Sequence, residues 1–251
     1  MTRYSSVVLA GGVAPDDFRE ATGAFNSAVL RVNGSLVVET VCRALRESGC
    51  VDDLVVMGNM HVSERTRPDQ GSLVDNVYAG AAAVPAQPVV LFATGDMPFL
   101  SAEAVQRFCH QAESTGADLV YPIVPLGLCE QAFPGMSRTG LRLREGRFTG
   151  GNLLIIRRTL LDHNAQTIRD AFSARKSVWK LARLFGLRTL AALAISFIRP
   201  DSLTIPQLEQ AMGRLAGGIA RAVVVDYPGI GVDIDRLEHV EALKSHGVQI
   251  G

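Results

Sequence analysis

The sequence lacks the features that mark nucleic-acid-binding, disordered or disulfide-stabilised proteins. Its 251 residues carry 25 basic and 25 acidic side chains, and only four residues are cysteines. A formal net charge of zero argues against a nucleic-acid binder driven by electrostatics. Because 47 % of the residues are hydrophobic, the chain has enough apolar material to exclude intrinsic disorder. This length predicts one large α/β domain or two small ones.

The cysteines show no pattern of a metal site or of a disulfide framework. No Cys-x-x-Cys pair and no matching histidine spacing occurs among Cys42, Cys50, Cys109 and Cys129. We therefore expect buried, reduced thiols. The five histidines likewise form no spaced cluster, and the sequence assigns none of them a catalytic role.

The sequence also lacks a long hydrophobic run. The most apolar stretch, residues 181–198, is interrupted by Arg183 and Arg188, and its charge-free part is about half of what a membrane span needs. The N-terminal residues do not show the charged start, apolar core and cleavage site of a signal peptide. We expect no membrane span and a cytoplasmic protein.

Short apolar runs alternate with helical patterns in the first half of the chain, which is typical of stacked βαβ units. The predicted strands are residues 5–10, 54–57, 88–93 and 118–124, and the predicted helices are residues 34–48, 73–84 and 101–113, the last capped by Ser101. The second half predicts an antiparallel ribbon, residues 139–144 and 147–156, around a turn at Glu145 and Gly146. Residues 167–215 are mostly helical by pattern, followed by a strand at 220–225 and a helix at 236–245.

These elements predict a single α/β domain over residues 1–251. Its sheet is mixed but mainly parallel, with helices on both faces and a small inserted helical subdomain at about residues 160–215. Ligands of such sheets bind outside the carboxyl ends of the strands, so motifs at those ends are the candidates for function.

The first predicted strand ends in Leu9-Ala10-Gly11-Gly12. Two glycines at this point allow a tight turn and bring amide N–H groups close to a ligand's base or phosphates. The same pair also suits an ordinary turn.

The third predicted strand ends in Thr94-Gly95-Asp96-Met97-Pro98, and an aspartate in this place is suited to hold Mg²⁺ on a polyphosphate. Asp96 is alternatively a turn residue. Near the C-terminus, Asp233 and Asp235 are separated by one residue, which places both on one face of an extended chain. We expect Asp233 to face the site, and Asp235 to cap the last helix in a capping box with Glu238.

These motifs, in this order, resemble the nucleotidyltransferases of the sugar-phosphate and molybdenum-cofactor type. The resemblance includes residues 26–40 and Thr149-Gly150-Gly151-Asn152, and it covers nearly the whole chain. It implies a glycosyltransferase-A-like Rossmann fold and a Mg²⁺-dependent reaction. In that reaction, a small phosphorylated acceptor attacks the α-phosphate of a nucleoside triphosphate, and pyrophosphate is released.

The resemblance also implies roles for individual residues. Asp96 and Asp233 are implied as metal ligands and catalytic groups. The implied nucleotide-binding residues are Leu9, Ala10, Gly11 and Gly12 in the Gly-rich loop, with Gly71, Ser72 and Asn76 near the base. Gly150, Gly151 and Asn152 are implied at the acceptor, although two glycines also suit the start of a strand.

One departure concerns positive charge. Where the family has an arginine and a lysine that face the phosphates, this chain has Val13-Ala14-Pro15-Asp16-Asp17 and Ser27. A cation is the usual counter-charge in phosphoryl transfer. Either another basic residue substitutes, or the enzyme is slow, or the protein binds nucleotide without turnover. The candidate substitutes are Arg19, Arg31, Arg147, and Arg175 with Lys176, although the last two also suit a solvated helix face.

Two rival functions remain open from the sequence. A catalytically weak or silent nucleotide-binding module is favoured by Ser27. A glycosyltransferase that consumes a nucleotide sugar is disfavoured by Thr94, because those enzymes usually carry Asp-x-Asp where this chain has Thr94-Gly95-Asp96. The base, the acceptor and the oligomeric state are not specified by the sequence.

Overall fold

The computed structural model describes residues 2–163, 169 and 203–251 of the chain. Its main sheet has the strand order β5-β4-β1-β6-β10-β7-β9-β8, and β11 pairs with β7. The strands are β1 Tyr4–Leu9, β2 Arg31–Val32, β3 Ser35–Leu36, β4 Val51–Met57, β5 Arg65–Arg67, β6 Val89–Thr94, β7 Leu119–Pro125, β8 Leu141–Leu143, β9 Gly146–Gly150, β10 Leu153–Arg157 and β11 Ala220–Val224. The helices are α1 Asp16–Thr22, α2 Val37–Glu47, α3 Leu73–Ala83, α4 Ala102–Thr115, α5 Leu126–Ala132, α6 Arg158–His163, α7 Ile205–Ala216 and α8 Leu237–Ser245.

The central strands are covered on both faces, as the sequence predicts for a mainly parallel sheet. Val7 and Val8, neighbours in β1, are both fully buried. Because successive side chains point to opposite faces, Val7 packs in one apolar cluster with residues of α3, and Val8 packs in a second cluster with residues of α2 and α4. Strands β1, β4, β5 and β6 run parallel, whereas β10 is antiparallel to both β6 and β7.

The predicted ribbon is only partly correct. Strands β8 and β9 pair around Glu145 as expected, but the single strand predicted at residues 147–156 is two strands. The strand is interrupted at Gly151, whose N–H donates to the carbonyl of Pro122 at 2.9 Å. A Cβ at Gly151 would lie 2.6 Å from Ile230 and 2.7 Å from Pro122, so glycine permits this close crossing. After it, β10 inserts between β6 and β7.

Helix boundaries differ from prediction where short hydrogen-bonded elements intervene. Helix α2 begins at Val37, because the preceding residues form a hairpin, β2–β3, around Asn33 and Gly34, which both have positive φ. Ser101 caps α4 as predicted, and its hydroxyl accepts from the N–H of Ala104. The pattern did not predict α1 or α5. All four cysteines are buried and free, which confirms that prediction.

The predicted helical subdomain lies mostly outside the described residues, since residues 164–168 and 170–202 are not among them. At its two ends stand α6 and α7. Helix α7 begins with a capping box between Thr204 and Gln207. Within the described ranges, no helix has both the length and the apolar character required to cross a membrane.

Candidate functional site

The carboxyl ends of β1 and β6 meet at two glycine-containing loops. The N–H of Gly95 donates to the carbonyl of Leu9 at 2.8 Å. A Cβ at Gly95 would lie 2.7 Å from the Cβ of Ala10, so a side chain here would push the loops apart. Gly95 therefore brings the loop that carries Asp96 against the Gly-rich loop of residues 9–12.

The side chain of Asn26 fixes the shape of the Gly-rich loop through hydrogen bonds. Its side chain is buried and donates to the carbonyls of Ala10 at 3.0 Å and Gly12 at 3.1 Å. Its Oδ1 accepts from the N–H of Val29 and so caps a short 3-10 helix, Ser27–Val29. Ser27, the residue implied at the family's lysine position, immediately follows Asn26 in the sequence and so lies next to the residue that binds the Gly-rich loop.

Asp69 joins the Gly-rich loop to the start of α3. Its carboxylate accepts from the N–H of Gly12 at 2.8 Å, from the N–H of Gly71 at 3.0 Å and from the amide of Asn76 at 2.7 Å. These donors, that of Gly12 first, lower the pKa of Asp69 below its usual value. No sequence motif pointed to Asp69, because an aspartate between a proline and a nearby glycine is typical of any turn.

A cavity of about 390 Å³ lies between these two segments. Six of the predicted nucleotide-binding residues line it together with Asp69 and Leu73; the six are Leu9, Gly11, Gly12, Gly71, Ser72 and Asn76. A second cavity, of about 240 Å³, shares Gly11, Gly12 and Asp69 with the first and is also lined by Val13, Phe25 and Asn59. Val13 and Phe25 are among the exposed large apolar side chains. Ala10 is buried and lines neither cavity, and Ser27 lines neither.

Asp96 stands at the end of β6 and is fixed on two sides. The hydroxyl of Thr94 donates to its carboxylate at 2.5 Å, and its carbonyl accepts from the N–H of Ile234 at 3.0 Å. Desolvation and the nearby Asp233 carboxylate raise the pKa of Asp96 to about 7. The backbone bond to Ile234 thus brings the C-terminal Asp-Ile-Asp segment to Asp96, as the sequence resemblance implies.

Asp233 and Asp235 have partners that the sequence did not predict. Both Nη atoms of Arg138 donate to Asp233, one of them to Oδ2 at 3.3 Å. Asp235 does not cap α8. The N-cap position is Arg236, without a side-chain cap, and Asp235 instead lies 2.9 Å from Nδ1 of the buried His239. This contact lowers the pKa of Asp235. The predicted capping box is therefore wrong.

The donor set fits a hard divalent cation. Asp96, Asp233 and Asp235 supply carboxylate oxygens, the ligands that Mg²⁺ and Mn²⁺ prefer. Within the described part of the chain, Asp233, Asp235 and His239 bring their ligand atoms within 4.8 Å of one another. Burial and, after it, the neighbouring Asp233 carboxylate raise the pKa of Asp96, and a cation among these carboxylates would favour the charged form.

Residues 150–152 connect this cluster to the sheet. The N–H of Asn152 donates to the carbonyl of Ile230, and its carbonyl accepts from the N–H of Thr94 at 3.0 Å. The Asn152 backbone therefore links the β6 end to the 3-10 helix Pro228–Ile230, just before Asp233. Its side-chain Nδ2 is buried and, among the described residues, has no hydrogen-bond partner.

The candidate substitute cations do not gather at the cavity. Arg19 pairs with Asp16, Arg31 donates to the carbonyl of Gly34, and Arg147 lies 3.8 Å from Glu130. Arg175 and Lys176 lie outside the described residues. Among the described residues, Arg138 pairs with Asp233 and Arg236 lies 3.8 Å from Asp235. No spacing in the sequence pointed to Arg138.

This fold, with its cavity beside the Gly-rich loop, is typical of nucleotide-binding α/β proteins. Comparison with known protein families identifies the class of protein more closely. Residues 6–183 match the family described as the MobA-like NTP transferase domain, and the chain belongs to that family. It is therefore a nucleotidyltransferase by family, and the resemblance stated from its motifs is confirmed. A comparison with curated proteins found no match.

Solved structures agree with this assignment. A hypothetical transferase from Thermus thermophilus is 37 % identical, with a TM-score of 0.82 over 95 % of this chain and 100 % of that one. A CMP-2-keto-3-deoxy-manno-octonic acid synthetase in complex with CTP is 14 % identical, with a TM-score of 0.59 over 98 % of this chain and 100 % of that one. Rv0371c from Mycobacterium tuberculosis H37Rv, in complex with manganese, is 15 % identical, with a TM-score of 0.52 over 96 % and 98 %. The last two show the shared fold.

Proposed function

We propose that this protein transfers a nucleotidyl group from a nucleoside triphosphate to a small phosphorylated acceptor, with Mg²⁺ as its metal and pyrophosphate as the second product. The observation that carries the proposal is the hydrogen bond from Ile234 to Asp96, which joins two carboxylate-bearing segments beside the Gly-rich loop. Family membership supports the transfer, and the synthetase complex with CTP and the manganese complex show the kinds of ligand that this fold takes in other proteins.

The base is proposed to occupy the cavity between Gly11 and Ser72. Main-chain groups of the Gly-rich loop line it, and hydrogen bonds to Asp69 and Asn26 hold that loop in place. A loop whose geometry is fixed before the ligand arrives loses little entropy on binding. The phosphates then extend toward Asp96.

Asp96 and Asp233 are proposed to hold the divalent cation, which when bound neutralises charge on the triphosphate. The acceptor's phosphate oxygen forms a bond to the α-phosphorus, and the bond from that phosphorus to the bridging oxygen breaks, so that pyrophosphate leaves with the electron pair. Thr94 orients the Asp96 carboxylate through its hydroxyl. The Nδ2 of Asn152, which has no partner among the described residues, is proposed to donate a hydrogen bond to the acceptor.

The function is tested by screening the four ribonucleoside triphosphates with Mg²⁺ by thermal shift, then measuring pyrophosphate release with pooled sugar phosphates and other small phosphorylated acceptors. A stabilising nucleotide and acceptor-dependent pyrophosphate are expected. Nucleotide binding without pyrophosphate for any acceptor would favour the silent binding module, which Ser27 supports. Consumption of a nucleotide sugar with release of a nucleoside diphosphate would favour the glycosyltransferase.

A prediction concerns Ser27. Ser27→Lys is expected to strengthen nucleoside triphosphate binding about ten- to a hundred-fold, because a charge-assisted contact to phosphate contributes about 1.5–3 kcal/mol. Calorimetric titration at fixed ionic strength measures this. The matched control is Ser114→Lys on the exposed face of α4, where an added charge contributes about 0–1 kcal/mol. Equal affinities for the two variants would show that Ser27 does not face the phosphates.

A further inference from the structure

Arg138 lies inside the carboxylate cluster rather than on the surface. Its side chain is 13 % exposed and that of its partner Asp233 is 14 % exposed. The two make a bidentate pair, a geometry that engages both oxygens of the carboxylate. The Nε of Arg138 is buried and has no hydrogen-bond partner among the described residues, so its N–H donor is not used by the pair.

The backbone around Arg138 is fixed on both sides. Nε2 of His239 lies 3.2 Å from the carbonyl oxygen of Ser137, and the hydroxyl of Thr149 donates to the carbonyl of Thr139 at 3.1 Å. Thr149 and His239 are themselves buried. The loop between α5 and β8 is therefore held where it delivers Arg138 to Asp233.

This arrangement conflicts with metal binding at the same carboxylate. A divalent cation at Asp96 and Asp233 must use an oxygen that Arg138 now engages, and it would stand next to the guanidinium charge. Like charges at such separations repel strongly in a partly buried site. The guanidinium and the cation would therefore compete for the negative charge of Asp233.

We propose that Arg138 is a built-in competitor of the divalent cation. In the metal-free protein, the Arg138 guanidinium is paired with the Asp233 carboxylate. When metal and triphosphate bind together, the guanidinium leaves that carboxylate and binds a phosphate group of the substrates. Arg138 thereby supplies the cation that Ser27 does not. This inference rests on the proposed function, since it requires the metal site at Asp96 and Asp233.

The experiment measures binding directly, without turnover. Mn²⁺ alone is titrated into the protein and followed by electron paramagnetic resonance, with the wild type, Arg138→Met and Arg138→Lys. Arg138→Met is expected to bind Mn²⁺ about ten-fold more tightly or better, because the competing charge is gone. Arg138→Lys, which keeps the charge but not the bidentate geometry, is expected to fall between the two. The control is Arg46→Met, which removes a similar bidentate pair with Glu64 far from the cluster.

A second titration tests the other half of the inference. Inorganic tripolyphosphate at saturating Mg²⁺ is expected to bind Arg138→Met about ten-fold more weakly than the wild type. The two effects thus have opposite signs, and general damage to the site would not produce this. If Arg138→Met does not fold, Arg138→Lys carries both tests with smaller changes of the same signs.

The outcomes separate this inference from the proposed function. Mn²⁺ binding that is equal or weaker in the Arg138 variants, but is lost in Asp96→Asn, would overturn the competition and leave the metal site intact. Mn²⁺ binding that is unaffected by Asp96→Asn would overturn the proposed metal site itself. Tripolyphosphate affinity equal to the wild type in Arg138→Met would overturn the role in phosphate binding.

Discussion

Asp96→Asn is expected to reduce nucleotidyl transfer about a thousand-fold or more, since a metal ion that neutralises developing charge contributes several kcal/mol to the transition state. Asparagine keeps the shape of the side chain and still offers an oxygen to the Thr94 hydroxyl, so the loop is retained. The loss of transfer activity then measures the contribution of the negative charge on the Asp96 side chain. Pyrophosphate release over a range of Mg²⁺ concentrations measures it.

The fold of this variant should be intact. Asp96 is a carboxylate held close to Asp233, and both desolvation and that neighbour disfavour its charged form. Removing the charge relieves this, so the melting temperature of metal-free Asp96→Asn is expected to equal or exceed that of the wild type. Asp52→Asn, at an exposed carboxylate that pairs with Arg3, is the matched control and should leave transfer unchanged. Retention of transfer and of its Mg²⁺ dependence in Asp96→Asn would place the metal elsewhere.

The central strands of the sheet could be predicted because each of them is a short apolar run in the sequence. Val7, Val8, Val55 and Val56 are buried on both faces, and such strands show as short continuous apolar runs. The break at Gly151 was not predictable from local pattern. The crossing depends on the close approach of Pro122 and Ile230 from distant parts of the chain.

In the candidate site, too, some residues could be predicted from the sequence and others could not. Gly11 and Asp96 were accessible to sequence reasoning because they follow strands β1 and β6, at the edge of the sheet where ligands bind. Asp233 was accessible through the resemblance to the family. Arg138, Asp69 and His239 were not. Each acts through a partner at least 50 positions away, or through a loop with no regular pattern, and their residue types are common on any surface. The capping box at Asp235 failed because the buried His239 competes for the same carboxylate.

Gly11→Val is expected to weaken nucleotide binding about a hundred-fold or more, equivalent to about 3 kcal/mol. A Cβ at this position would lie 2.6 Å from Oδ1 of Asp69 and 2.6 Å from Nδ2 of Asn76, well inside contact distance. These are the two groups whose hydrogen bonds join the Gly-rich loop to α3. The substitution therefore separates the two walls of the cavity and also fills it.

Gly11→Ala distinguishes these two causes. Alanine carries the same Cβ and so the same collision with Asp69 and Asn76, but it lacks the methyl groups that would enter the cavity. If separation of the walls is what matters, alanine should produce most of the loss that valine produces; if obstruction of the base matters, alanine should bind nearly as the wild type does. Gly127→Ala in α5, where a Cβ meets nothing within 4 Å, controls for the general effect of replacing a glycine. Calorimetric titration with the nucleotide that stabilises the wild type most, on variants shown to be folded by circular dichroism, makes the comparison. Wild-type affinity in folded Gly11→Val would exclude this cavity as the base site, because no nucleobase can share the space that the valine side chain and the displaced Asp69 would occupy.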